Sequence, residues 1–503
     1  MDFLNNDYAK EVSCIPQVTQ REPYLSGSGV IIAVLDSGID YFLPEFTNRN
    51  GKTRLLGIWD QTARADAQNG LLPPPGYREG VLYTREMIDE ALSLGRENGQ
   101  RRVPVSDLSG HGTAVAGVAA GRDIGIAPGA ELLIIKLGNP MPESFPRTTQ
   151  LMRGIDYAVK LGIELNRPVV INISFGNTYG DHLGNSLLER FIDNASEIGR
   201  TAIIIGSGNE GASGGHTAGV AMTETRIELA VANYETGLSV QLWKHYQDIY
   251  NMTVVSPGGD RALLQMSNRS RAGTERRTLE QTELLCYLGE PLPYSVSQEI
   301  FMDMLPAGSG RRNYINSGVW RFVLEPVSIV TGEYRFYLPS YAVRNTGTRF
   351  FLPTPEMTIT IPSTSHRAVT VGAYDANLRS YADFSGRGYV YRYVEGRPDT
   401  TGGLFGIAES KPDLVAPGVD IAVPMTGGGY ERVSGTSFAT PFVAGSAALL
   451  MEWGIVKGND PFLFGQKLKA YLIRGARPLS GNVERPDSTI GWGALCVRDS
   501  LPI

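Results

Sequence analysis

Five short, continuously apolar runs punctuate the chain, at residues 30–35 (VIIAVL), 131–137 (ELLIIKL), 168–173 (PVVINI), 201–205 (TAIII) and 368–371 (AVTV). An apolar run without polar alternation suits a parallel strand covered on both faces. Helix-period segments lie between and after these runs, at 112–120, 150–161, 185–198, 437–453 and 462–474. Strands and helices in alternation predict an α/β fold with a parallel sheet between helical layers. Two stretches break the rhythm. Residues 52–105 contain Pro73-Pro74-Pro75-Gly76, which no helix interior or central strand accepts, followed by a short helix expected over 84–94. This stretch reads as a surface elaboration. Residues 216–357 carry short strand-like runs at 238–243, 252–256, 319–324 and 333–338, separated by Pro-Gly, Gly-Gly and Ser-Gly turns. They predict an antiparallel, jelly-roll-like β-sandwich inserted into an α/β domain built from residues 1–215 and 358–503.

Composition narrows the partners. Across 503 residues, 46 Lys and Arg face 52 Asp and Glu, a net charge of −6. No basic excess exists to displace phosphate counterions, so nucleic acid is not expected as a partner. No run approaches 18 apolar residues, so neither a membrane-spanning helix nor a membrane partner is expected. The opening, Met1-Asp2-Phe3-Leu4-Asn5-Asn6-Asp7, has no basic and then apolar leader. No signal peptide is expected in it, which favours a bacterial cytoplasm or spore over secretion. Cys14, Cys286 and Cys496 are too few and too scattered for a disulfide framework or a zinc site. They read as inert thiols, in a reducing compartment or in a bacterial chain that does not rely on disulfides.

Two glycine patterns point to chemistry the surrounding sequence does not support. Gly206-Ser207-Gly208-Asn209-Glu210-Gly211 fits the dinucleotide-binding spacing, but no helix follows to receive a pyrophosphate. Gly211-Ala212-Ser213-Gly214-Gly215 fits a nucleophile elbow and lacks the same helix. A stronger constellation has three parts. Asp36 follows the first buried run, His111 opens a helix of small residues, and Ser437 opens another, Gly435-Thr436-Ser437-Phe438-Ala439-Thr440-Pro441. Taken singly, each reads as a turn, surface or cap residue. Taken together they are the types that nucleophilic catalysis requires: a serine needs an imidazole to take its proton, and the imidazole needs a carboxylate to hold its tautomer. Ser437 at a helix start also places free N–H groups where an oxyanion would form, with Pro441 expected in or near the first turn. Asn209, after the run 201–205, could donate a second hydrogen bond to that oxyanion.

Asp36-Ser37-Gly38, His111-Gly112-Thr113, Ser207-Gly208-Asn209-Glu210-Gly211 and the Ser437 segment resemble the motifs of subtilisin-like serine proteases, in that family's order of Asp, His, Ser. Gly125-Ile126-Ala127-Pro128, Asn172-Ile173-Ser174-Phe175-Gly176 and Val415-Ala416-Pro417-Gly418 resemble supporting blocks of the same family. The resemblance implies a subtilisin-like three-layer fold and a serine endopeptidase acting on protein or peptide substrates. It implies Asp36, His111 and Ser437 as catalytic residues, Asn209 in the oxyanion hole, and no cofactor. Ser174, Phe175 and Gly176 would be an edge strand pairing with substrate, facing Ser207 and Gly208 across the specificity pocket. Glu210 would stand at its rim, favouring a basic side chain. Ala114 and Phe442 stand where the family often has histidines. The short segment 121–125 implies that the frequent calcium loop is absent, and no metal is expected. A propeptide or protein inhibitor is expected in the active-site cleft. With only 35 residues before Asp36, the propeptide would be a separate segment or dispensed with. The layout, with Gly57-Ile58-Trp59-Asp60-Gln61-Thr62 and the insert between Asn209 and Ser437, is most similar to clostridial Csp-type germination proteases, which activate a cortex hydrolase. Some of those relatives are pseudoproteases, so a catalytically silent sensor or scaffold stands as the alternative. The insert is expected to lie outside the catalytic centre and to steady its loops or select partners.

Overall fold

A computed structural model describes residues 6–138, 146–265, 273–293, 295–308, 313–390, 393–394, 397–398, 410–479 and 484–502. The apolar runs form the centre of a nine-stranded sheet. In spatial order its strands are Ser380–Tyr381, Val369–Asp375, Thr201–Gly206, Val169–Ile173, Ile31–Asp36, Glu131–Lys136, Leu55–Asp60 and Val81–Thr84, with Leu414–Pro417 also paired to Val369–Asp375. Pairing is parallel except where Val81–Thr84 and Ser380–Tyr381 join at the edges. Along Ile31–Asp36 the alternating side chains divide between two cores. Ile32 and Val34 pack with the helices His111–Ala120 and Thr436–Met451, while Ile31, Ala33 and Leu35 pack with Thr148–Glu164 and Leu187–Ala195. Both faces are therefore covered, which is why these strands carry no polar alternation.

The stretch 52–105 is more than a surface elaboration. Leu55–Asp60 joins the sheet in parallel beside Glu131–Lys136, and Trp59 is fully buried. Its six-residue length and apolar character were the available signal; the proline run lies in the excursion that follows.

Helix Thr436–Met451 continues as a π-helical turn through Val456. These 21 residues are long and apolar enough to cross a membrane, yet their 18-residue apolar stretch is 83% buried inside the fold. Pro441 is the sixth residue of this helix, in its second turn rather than its first. Its ring leaves the carbonyl of Ser437, four residues back, without the usual helical donor. The hydroxyl of Ser174 donates to that carbonyl instead, at 3.1 Å. Helix packing is close enough that a Cβ on Gly445 would lie 2.5 Å from Ile126 Cβ.

The insert forms two antiparallel sheets. One has six strands in the order Gly273–Leu279, Thr282–Leu288, Ser297–Pro306, Leu238–His245, Glu333–Tyr337 and His216–Val220. The other has five, Arg261–Gln265, Ile249–Val255, Gly318–Ser328, Thr225–Val231 and Arg349–Phe350. Their inner faces share one core, including Val240, Leu242, Met252, Ile300, Trp320, Phe322 and Phe336. At the junction with the α/β sheet, Tyr337 lies between His182 and His216. Its ring stacks on theirs at 3.9 and 4.2 Å, and all three are buried.

The cysteines correct the sequence reading. Cys14 and Cys496 are joined in a disulfide, with Cα atoms 4.9 Å apart across a separation of 482 residues, and Cys286 alone is free, buried in the insert. Scatter along a sequence says nothing about distance in space. Val497 N–H donates to the Ser13 carbonyl at 3.0 Å, which seats the C-terminal turn beside the N-terminal helices.

Candidate active site

Asp36 ends the central strand and is buried. Its Oδ1 accepts from the N–H of Ser37 at 2.7 Å and lies 2.8 Å from His111 Nδ1. Its Oδ2 is buried and has no hydrogen-bond partner among the described residues. His111 is the first residue of its helix, and the approach of that helix to Asp36 depends on Gly112. A Cβ there would lie 2.3 Å from the carbonyl oxygen of Gly38. The sequence reading missed Asp107, which organises this corner. Asp107 Oδ2 accepts from the N–H and hydroxyl of Thr113 at 2.8 and 2.7 Å, which caps the helix. Its Oδ1 accepts from Gly110 N–H at 3.0 Å and from Ser37 Oγ at 2.8 Å. Ser37 Oγ in turn accepts from Gly112 N–H at 3.0 Å. An acidic residue a few positions ahead of a helix start was the signal that could have found it. Burial works to lower the pKa of His111. The charge and hydrogen bond of Asp36, with the charge of Asp107, outweigh it and leave the imidazole above its ordinary value.

Ser437 lies at the start of its helix, where backbone N–H groups have no intrahelical acceptor. Its hydroxyl donates to the carbonyl of Ser174 at 2.7 Å. Asn172 Nδ2 donates to Ser174 Oγ at 2.8 Å, which orients the serine that serves the Ser437 carbonyl. Asn209 has a fixed amide. Its Oδ1 accepts from the N–H and the hydroxyl of Thr436 at 3.0 and 3.1 Å, which assigns the NH₂ to the other side, towards Gly435.

These residues meet in one cleft of about 370 Å³. Asp36, His111, Ser437 and Asn209 line it, as do Ser174, Phe175, Gly176 and Gly208. Ser174–Gly176 leave the sheet after Val169–Ile173 and, among the described residues, belong to no ladder; pairing resumes with the antiparallel bridge between Asn177 and Ile361. Ser207 is fully buried, with its hydroxyl 3.3 Å from Ser385 Oγ, and it does not line the cleft. Glu210 lines it but is engaged: its Oε1 accepts from Ser340 Oγ at 2.6 Å. Ser340, Tyr341 and Ala342 of the insert complete the wall. The glycine pattern at 206–211 runs into a loop and then the strand His216–Val220, so no helix stands where a pyrophosphate would need one. Among the described residues, no group of three or more His, Cys, Asp or Glu side chains is placed to hold a metal ion.

A hydroxyl at a helix N-terminus, a carboxylate-bound imidazole and an amide held by its oxygen in one cleft can support acyl transfer. Comparison with known proteins points the same way. The Subtilase family pattern matches residues 27–284 and 346–493. The structure of the CspB protease of Clostridium perfringens superposes with a TM-score of 0.84, at 32% identity, covering 98% of this chain and 96% of that one. The PI-type proteinase of Lactococcus lactis subsp. cremoris is 23% identical over 505 residues, 94% of this chain. This chain spans only 25% of that proteinase's length. Serine protease AprX of Bacillus subtilis is 30% identical over 165 residues, 29% of this chain and 32% of that protein. With most of its length matched to one family, the chain belongs to the subtilases, the subtilisin-like serine proteases.

Proposed function

We propose that this protein is a serine endopeptidase with Ser437 as nucleophile, His111 as general base and acid, and Asp36 as the group that orients the imidazole. The observation that carries the reading is the 2.8 Å Asp36–His111 contact in the cleft that also holds Ser437 and Asn209. A carboxylate at Nδ1 fixes the proton there and leaves the Nε2 lone pair to act as base. The hydroxyl of Ser437 rests on the Ser174 carbonyl. A substrate bound in extended form along Ser174–Gly176 would offer its own backbone N–H to that carbonyl. Ser437 Oγ is then released to pass its proton to His111 and attack the scissile carbonyl carbon. The oxygen that becomes negative is received by Asn209 Nδ2 and the Ser437 N–H. His111 returns the proton to the leaving amine, and water repeats the sequence on the acyl-enzyme.

The match to the CspB protease over nearly the whole of both chains supports a processing protease, of the germination type that the segment Gly57-Ile58-Trp59-Asp60-Gln61-Thr62 and the insert resemble. The same cleft would receive a propeptide or protein inhibitor as a pseudo-substrate. The test is labelling with a small fluorophosphonate followed by peptide mapping. The label is expected on Ser437 and lost in Ser437→Ala. Labelling elsewhere, or persisting in that variant, would overturn the assignment.

A further inference from the structure

We propose that the inserted sandwich determines part of the substrate specificity, with Tyr341 as the specificity-determining side chain and Glu210 as the latch that holds it in the cleft. This rests on the protease reading above. The cleft has Ser174–Gly176 on one side, Gly208 and Asn209 on the other, and Thr360 between them. A Cβ placed on Gly176 or Gly208 would lie 2.3 and 2.4 Å from Thr360 side-chain atoms, so Thr360 fills the space between the two walls. Next to Glu210 the wall is formed by Ser340, Tyr341 and Ala342, which come from the insert some 130 positions later in the chain.

That part of the wall is held by several hydrogen bonds. Residues Tyr341–Val343 form a single 3-10 turn, capped by Ser340, whose Oγ accepts from Ala342 N–H at 3.4 Å. Glu210, itself buried, accepts from Ser340 Oγ at 2.6 Å and from Tyr341 N–H at 3.3 Å. Arg344, just past the turn, donates from Nε to the Pro339 carbonyl at 3.0 Å and from Nη2 to the Ser213 carbonyl at 2.9 Å. The turn is thus fastened at both ends to the loop that carries Asn209. Tyr341 is nevertheless 52% exposed. Its backbone is fixed while much of its ring faces open space, the arrangement of a side chain that meets a ligand.

The chemistry follows. Glu210 spends its charge on two donors of the insert rather than on the substrate, so it does not call for a basic residue as the sequence alone implied. Selection is by length. The pocket takes a peptide whose inserted side chain stops short of the Tyr341 ring, and it disfavours long or aromatic ones.

The experiment measures binding in a Ser437→Ala background, where turnover cannot intervene. One peptide series, varied only at the residue before the scissile bond as Ala, Leu, Phe and Arg, is titrated by fluorescence anisotropy. Adding Tyr341→Ala is expected to improve the Phe and Leu peptides at least tenfold relative to the Ala peptide. Adding Glu210→Gln, which loosens the turn without emptying it, is expected to shift the same ratios in the same direction by less. Ratios that stay within twofold in both variants would refute the proposal, as would equal weakening of every peptide. Fluorophosphonate labelling of the Tyr341→Ala single variant separates the two readings. If Ser437 labels normally and the ratios do not move, the specificity proposal fails alone. If the parent protein does not label, the protease reading fails, and the binding ratios still decide the role of Tyr341.

Discussion

At the scale of single residues, two negative charges govern the imidazole, and only one of them touches it. Asp36 bonds His111 directly, while Asp107 acts through its field and through the cap it places on the helix. Neutral imidazole is the active form, so activity should rise with pH through a midpoint above the ordinary value near 6.5. Asp107→Asn keeps an acceptor for the helix N–H but removes a charge that favours the imidazolium. The midpoint of kcat/KM is expected to move down in this variant, towards the ordinary imidazole range; an unmoved pH profile would leave Asp107 a purely structural cap. Asn209 invites a second prediction. Its Oδ1 is committed to Thr436, so Asn209→Ala removes an oriented donor. A loss in kcat of about 10²–10³ with KM nearly unchanged is expected, the size associated with a subtilisin oxyanion donor. Steady-state kinetics on one peptide decides it, and a pure KM effect would count against the role.

At the scale of elements, the serine helix shows how a sequence rule can be met in an unforeseen way. Its proline stands in the second turn, and the carbonyl left without a donor is served by Ser174 from a neighbouring strand end. Ser174→Ala should cost about 1–3 kcal/mol in chemical denaturation, as expected for a carbonyl left unpaired in the interior. Because the backbone carbonyl of residue 174 remains, fluorophosphonate labelling should survive the change. What was legible in the sequence divides along the same line. The buried strands announced themselves by unbroken apolar runs, and Asp36, His111, Asn209 and Ser437 by their small, glycine-rich surroundings at strand and helix ends. Asp107 and Tyr341 did not, because what places each of them is a turn or neighbour distant in the sequence. The strand Leu55–Asp60 was hidden by the irregular excursion beside it.

At the scale of the whole molecule, the junction of insert and α/β sheet carries a pH sensitivity separate from that of the cleft. Burial lowers the pKa of His182 to about 4 and of His216 to about 3. Unfolded, both titrate near 6.5, so the unfolded chain takes up protons that the native one refuses. Stability from these two groups is complete above pH 6.5 and falls as the pH drops below it, by up to about 1.4 kcal/mol per unit for each. Burial raises Glu189 to about 7, which acts in the opposite sense between roughly pH 7 and 4.5. Urea midpoints measured from pH 8 to 5 should therefore fall more steeply in Glu189→Gln than in the parent, and less steeply in His216→Phe. Identical slopes in all three would show that the junction does not titrate as described.

The disulfide adds a consequence of a different kind. Cys14 and Cys496 close nearly the entire polypeptide into a covalent ring. On the protease reading, other copies of the chain are peptide substrates within reach at high concentration. In an open chain, one such cut yields two fragments that can drift apart. Here a single nick anywhere between the two cysteines leaves the two pieces joined through the Cys14–Cys496 bond, and the halves stay tethered. Loops exposed to self-digestion can then be clipped without the loss of either half, and the damage becomes visible as two bands only when the protein is reduced before electrophoresis.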